Sequence, residues 1–85
     1  MGFRIKNSPT IVWMASDICT ALGERIRDLR KERGWRQIDL AEQAGISENY
    51  VSDLEVGRKE ICLRTLQVVA QAFGLRPADL LKNLD

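Results

Sequence analysis

Four glycines, Gly34, Gly45, Gly57 and Gly74, cut residues 17–85 into short segments, each carrying apolar residues at helical spacing. Glycine just past the last periodic residue is the usual helix stop, because it enters the left-handed conformation without a Cβ penalty. A chain punctuated this often has no room for long helices. It also shows no alternating run longer than three residues that would make a strand. The expected class is all-α, a compact five-helix bundle.

The segments can be read one by one. Ile18, Leu22, Ile26 and Leu29 recur at i+4, i+4 and i+3, with Ser16 or Asp17 as N-cap and Gly34 as stop. The other face of this helix carries Arg25, Arg27, Arg30, Lys31 and Arg33, offset by Glu24, Asp28 and Glu32. It reads first as a solvated face laced by i,i+4 ion pairs, and second as a basic surface for a polyanion. "QIDLAEQAG" (37–45) is a second helix with Ile38, Leu40, Ala41 and Ala44 apolar. Ser47 is a good N-cap for a third, and Ile46 before it can pack on Val51 as a hydrophobic staple. Leu63, Leu66, Val69, Ala70 and Phe73 share a face of a fourth helix. Pro77 suits the first turn of a last, short helix with Leu80, Leu81 and Leu84 apolar.

The 85 residues allow one domain, which we place at 17–85. A domain of this size buries only ~60% of its unfolded surface, so association with a second copy is a natural supplement to its core. Residues 1–16, "MGFRIKNSPTIVWMAS", have no helical period. They read as an N-terminal arm, disordered or loosely packed, with a short strand or sequence upstream of a start at Met14 as alternatives.

Charge and cysteine content exclude several functions. The formal net charge is +1, and residues 20–85 hold eleven basic and eleven acidic side chains. Bulk charge therefore does not announce a nucleic-acid binder; only local clustering can. There is no histidine, and Cys19 and Cys62 form no CxxC pair, so no metal site is expected. Two reduced thiols are expected, with one disulfide between them as the alternative. No cofactor is implied. With no histidine, no paired carboxylates and no phosphate-cradling glycine loop, the chain does not read as an enzyme. "TIVWM" (10–14) is far short of the ~20 apolar residues of a membrane span, and Asp17 breaks a signal-peptide pattern, so a cytoplasmic protein is expected.

The functional signal is the pair of short helices around Gly45. Ala41 leaves room for a close helix crossing, Gly45 for a tight turn, and Ile46, Val51 and Leu54 lock the third helix steeply across the second. One face of the third helix is then left bare. That helix carries acids alone: "AGISENYVSDLEVG" (44–57) contains Glu48, Asp53 and Glu55 and no Lys or Arg.

Residues 22–81, "LGERIRDLRKERGWRQIDLAEQAGISENYVSDLEVGRKEICLRTLQVVAQAFGLRPADLL", resemble the Cro/lambda-repressor (XRE) type of helix-turn-helix domain. The order of signals carries the resemblance: a basic first helix, Gln opening the second, "LA…AGIS", then "L-E-x-G-R". Within that family the chain is most similar to restriction–modification controller proteins. The resemblance implies a homodimer that binds double-stranded DNA as a transcriptional regulator on a near-palindromic operator. It implies that Gln37 gives its amide to a phosphate, that Ser47, Glu48 and Asn49 sit over base edges, and that Arg58 and Lys59 grip the backbone. Ser52 and Asp53 lie one turn further along that face. Asn49 is the strongest base reader, because its amide pairs bidentately with adenine. Glu48 can accept from cytosine N4. Tyr50 either meets sugar and phosphate or packs. Asp53 either faces DNA or pairs with an Arg of its own chain, and Glu55 is expected to be structural, held by an Arg of the first helix.

The chain departs from the family where Ser or Thr usually caps a helix: Arg36, Cys62 and Arg76 stand there instead. Each lost cap costs ~0.5–2 kcal/mol. At Arg36 the expectation is that stability is exchanged for phosphate binding. Leu75, Leu80, Leu81 and Leu84 are the expected dimer interface, which would set two recognition helices about 34 Å apart. A phage-type repressor or restriction–modification controller fits best. An antitoxin whose residues 1–16 order on a toxin, and a protein-interaction module on the same scaffold, are the alternatives. No small-molecule effector is expected.

Overall fold

The computed structural model describes residues 17–84. The expected N-terminal arm, the antitoxin reading that depends on it, and Ser16 as a cap lie outside these residues. Five helices follow in order: α1 (Ile18–Glu32), α2 (Gln37–Ala44), α3 (Glu48–Glu55), α4 (Leu63–Ala72) and α5 (Pro77–Leu81). No strand occurs among the described residues.

Helix boundaries obey the local chemistry. Asp17 caps α1 through Oδ1, which accepts from the Cys19 N–H at 3.1 Å, and Ser47 caps α3 by accepting from the Tyr50 N–H at 3.1 Å. All four punctuating glycines have φ between +70° and +75°. Gly45 shows why: its N–H and that of Ile46 both reach back to Ala41 O, at 2.9 and 3.0 Å, reversing the chain within one residue between α2 and α3.

The helices whose caps looked lost recover them from the other side. Arg36 and Arg76 have no acceptor to offer, but Asp39 and Asp79, three residues on, accept their backbone N–H groups at 2.7 and 3.1 Å. This is the reciprocal half of a capping box. Before α4, the Cys62 thiol meets the Thr65 hydroxyl at 3.1 Å.

The core joins Leu22 and Ile26 of α1, Leu40, Ala41 and Ala44 of α2, Val51 and Leu54 of α3, and Leu66, Val69, Ala70, Phe73 and Leu80. Trp35 stacks on Phe73, ring centroids 5.8 Å apart, and the Arg33 guanidinium lies 4.8 Å from the Phe73 centroid on that ring. Gly23 sets the crossing of α1 and α3: a Cβ there would stand 2.3 Å from Leu54 O and 2.6 Å from Glu55 O. No side chain fits, so α1 and α3 touch backbone to backbone.

Three expectations about apolar faces are corrected. Ile18, at the start of the α1 stripe, is 52% exposed, because it opens the helix at the rim of a concavity that Leu22, Leu54 and Leu81 also line. Leu63 is 81% exposed rather than inward, since α4 begins there and its inward stripe starts at Leu66. Leu80 is fully buried in the chain's own core, and Leu75 and Leu84 pack against that core. Of the four leucines expected at a dimer interface, Leu81 alone is exposed, at 38%. A short α5 needs most of its leucines simply to hold itself down.

Candidate nucleic-acid interface

The C-terminal end of α3 is tied to both preceding helices by one buried carboxylate. Glu55, its side chain 3% exposed, accepts from Arg30 Nε at 2.6 Å and Arg30 Nη2 at 3.0 Å, a bidentate pair. Its Oε1 also accepts from Gln37 Nε2 at 3.1 Å, while Arg30 Nη1 donates to Trp35 O at 2.8 Å. Hydrogen bonding to Glu55 outweighs burial and holds the Arg30 pKa above its ordinary value. The structural role expected of Glu55 is thus present, with its partner on α1. Gln37, expected to give its amide to a phosphate, donates one amide hydrogen to Glu55, because α2 opens beside the end of α3, and keeps the other.

The other end of α3 is open. Ser47, Glu48 and Asn49 are exposed, and among the described residues no hydrogen bond or ion pair engages the Glu48 or Asn49 side chain. The Ser47 oxygen accepts the Tyr50 N–H, which leaves its hydroxyl proton to donate and a second lone pair to accept. Tyr50 and Ser52 are half-buried.

The flanking cations are not free. Asp53 Oδ1 lies 2.8 Å from Arg58 Nη1 and its Oδ2 is 3.9 Å from Lys59 Nζ. The Arg58 N–H also donates to Asp53 O at 2.9 Å, closing the turn that brings the two side chains together. Of the two readings of Asp53, the structure has the intramolecular pair. Arg36 donates to Asp39 through Nε and Nη2, both at 3.2 Å, and that hydrogen bonding holds the Asp39 carboxyl below its usual range. The expected loss of a cap at Arg36 is corrected: Asp39 caps α2, and the same carboxylate pairs with the Arg36 guanidinium, which stays 78% exposed.

The basic face of α1 is likewise not a ladder of i,i+4 pairs. Arg25 donates to Asp79 O and Lys82 O at 3.3 and 2.7 Å, securing the end of α5, and Arg33 donates to Phe73 O at 2.7 Å. With Arg30, three of the five cations brace other helices. The signal available in the sequence was a gap: Arg30 falls one position from Leu29, at the margin of the apolar stripe rather than opposite it. Cys19 and Cys62 are free thiols.

Comparisons with known proteins agree with this geometry. The helix-turn-helix family profile matches residues 26–80. The HTH-type transcriptional regulator DdrOP3 of Deinococcus deserti is 48% identical over 64 residues, covering 75% of this chain and 50% of that protein. The immunity repressor protein of Bacillus phage phi105 is 44% identical over 55 residues, covering 65% of this chain and 38% of that one. The chain therefore spans half or less of the length of these two relatives. Among solved structures, the restriction-modification controller protein C.AhdI from Aeromonas hydrophila matches with a TM-score of 0.71 at 31% identity, over 73% of this chain and 94% of that chain. Fold, turn geometry and sequence profile converge: this chain belongs to the helix-turn-helix family, of the Cro/lambda-repressor (XRE) type.

Proposed function

We propose that the chain is a sequence-specific DNA-binding transcriptional regulator, acting in the cytoplasm as a homodimer on a near-palindromic operator, in the class of phage-type repressors and restriction–modification controllers. The observation that carries this reading is the asymmetry of α3. Its C-terminal end is locked by Glu55 to Arg30 and Gln37, while Glu48 and Asn49 at its start are exposed and unengaged. Eight residues make a helix about 12 Å long, which the major groove, about 12 Å wide, admits. Asn49 offers both a donor and an acceptor to a base edge, and Glu48 an acceptor. Relatives named as transcriptional regulator, immunity repressor and controller protein support the same reading.

For the dimer, exposed apolar surface at Leu81 and Leu63 supports a contact through α5 and the start of α4, in place of the buried Leu80. An isologous contact there would present two α3 helices to one side of the duplex. Selection of bound duplexes from a random pool tests the whole reading. Enrichment of a two-fold symmetric motif is expected; absence of enrichment at low salt overturns it.

A further inference from the structure

Apolar surface is left open where α1 begins. A groove of about 300 Å³ lies between the first turns of α1, the segment after α3, and α5. Leu22 and Leu54, both buried, form its floor, and Ile18, Cys19, Ile61 and Leu81 stand around it. Ile18 and Leu81 are both exposed, and covering them is favoured in proportion to the apolar area removed from water. The chain itself supplies a cover. Residues 1–16 lie outside the described residues and join the domain at Asp17, one residue before Ile18 at the rim of the groove. Among them "IVWMA" (11–15) is the longest uninterrupted apolar run of the sequence. Trp13 is five residues from Ile18, so a fully extended chain sets it at most about 17 Å away. A tether this short keeps the run beside the groove at high effective concentration. Charge fits as well. Residues 1–16 carry Arg4 and Lys6 and no acid. Burial first, then Asp17 and Glu60, raise the Cys19 pKa, which puts two carboxylates at that end of the groove. Lys59 also lines the groove, with its Nζ 3.9 Å from Asp53.

We propose that residues 11–14 of the chain's own N-terminal segment dock in this groove, with Trp13 as the anchor. Trp13 is the largest apolar side chain of the run, and a buried aromatic ring brings the most area for the fewest rotatable bonds. The docked segment covers Ile18 and Cys19 and ties the start of α1 to the residues after α3 and to α5. Leu81 is common to this groove and to the dimer contact proposed above, so the segment borders that contact. The inference stands independently of the DNA-binding reading.

The test uses the full chain carrying Trp35→Phe, which keeps a ring on Phe73 and leaves Trp13 as the one tryptophan. Trp13 emission should be blue-shifted, shielded from iodide, and unchanged on dilution. Ile18→Asp should return it to the emission of tryptophan in water. That substitution puts an acid at an exposed position in the first turn of α1, where the helix dipole favours it, so the fold is kept. Val56→Asp, at an apolar residue just as exposed but outside the groove, should leave the emission unchanged. In a Cys62→Ser chain, Trp13→Ala should speed the alkylation of Cys19 by iodoacetamide roughly tenfold or more, the bias that burying one large apolar side chain gives. Circular dichroism confirms that each variant keeps its helices. If Trp13 emits as in water and Trp13→Ala leaves Cys19 no more reactive, the segment does not dock and the proposal is overturned. A blue shift that Ile18→Asp does not reverse places Trp13 elsewhere and overturns it too. If both signals appear only at concentrations where sedimentation shows a dimer, the groove is filled by a second copy and the proposal is wrong. None of these outcomes touches the DNA-binding reading, which the duplex selection tests separately.

Discussion

Removing the Glu55 carboxylate should nearly unfold this protein, although the residue lies in a helix that needs no acid to form. Glu55→Ala deletes three accepted hydrogen bonds, from Arg30 Nε, Arg30 Nη2 and Gln37 Nε2. The greater cost is what remains: an Arg30 side chain only 11% exposed, with Trp35 O as its one partner. Breaking a buried pair by removing one member costs ~3–5 kcal/mol. An 85-residue domain at the usual stability per residue has ~4–13 kcal/mol in total. At ~4–8 °C per kcal/mol, Tm should fall by ~12–40 °C. Thermal and urea denaturation followed by circular dichroism measure this directly. Arg30→Met with Glu55→Leu removes both charges and should recover most of the loss, because two apolar side chains of similar volume need no partners. The double-mutant cycle then isolates the coupling. A loss under about 1 kcal/mol for Glu55→Ala would show that water reaches Arg30 freely, and the account of α3 as anchored by a buried pair would be wrong.

Other predictions follow from single contacts. Gly23→Ala should cost ~1–3 kcal/mol or more, measured as a fall in Tm, because the new methyl group meets the Leu54 carbonyl oxygen and backbone must move. Hydrogen bonding from Thr65 lowers the Cys62 thiol pKa, while burial, with Asp17 and Glu60, raises that of Cys19. At neutral pH iodoacetamide should therefore modify Cys62 first, and Thr65→Val should slow it. Arg36 depresses the Asp39 carboxyl, so its contribution to stability is present above the unfolded-state pKa of about 3.9 and is lost as pH falls through the lower folded value. Asp39→Asn should flatten the acid limb of a stability–pH curve below about pH 4, and an unchanged limb refutes the pairing. Asn49→Ala should reduce discrimination between selected and scrambled duplexes by ~1–3 kcal/mol, more than Arg58→Ala, whose guanidinium already has Asp53.

What the sequence made legible was whatever depends on near neighbours. The helix stops at glycine, the Ser47 cap and the inward stripe of α1 from Leu22 to Ile26 are all local patterns, and all are present. The turn that aims α3 was legible for the same reason. The roles of the arginines were not. Arg25, Arg30 and Arg33 each bond a group 25 to 57 residues away. Periodicity reports which face of a helix is apolar and says nothing of what a cation at its margin reaches. Arg36 and Arg76 misled differently. Attention to the cap position alone missed the Asp three residues later, a spacing repeated at Arg36–Asp39 and Arg76–Asp79 and visible in the letters. Leu80 was misjudged because counting leucines cannot tell a surplus from what a five-residue helix needs for its own attachment.

The lock at Glu55 gives α3 a second, remote attachment. The turn through Gly45 and Ile46 and the buried Val51 hold its start, while Glu55 holds its last residue, seven residues from the groups that would touch bases and so about 10 Å along the axis. Over that arm a tilt of about 5° at the clamp moves the tip by roughly 1 Å, enough to spoil a hydrogen bond with a tolerance of a few tenths of an ångström. Accuracy at the tip is therefore decided in part far from it, by the stiffness of one carboxylate, one guanidinium and the bare backbone of Gly23 beneath them. Substitutions around that clamp should blur base preference without altering any atom that meets DNA.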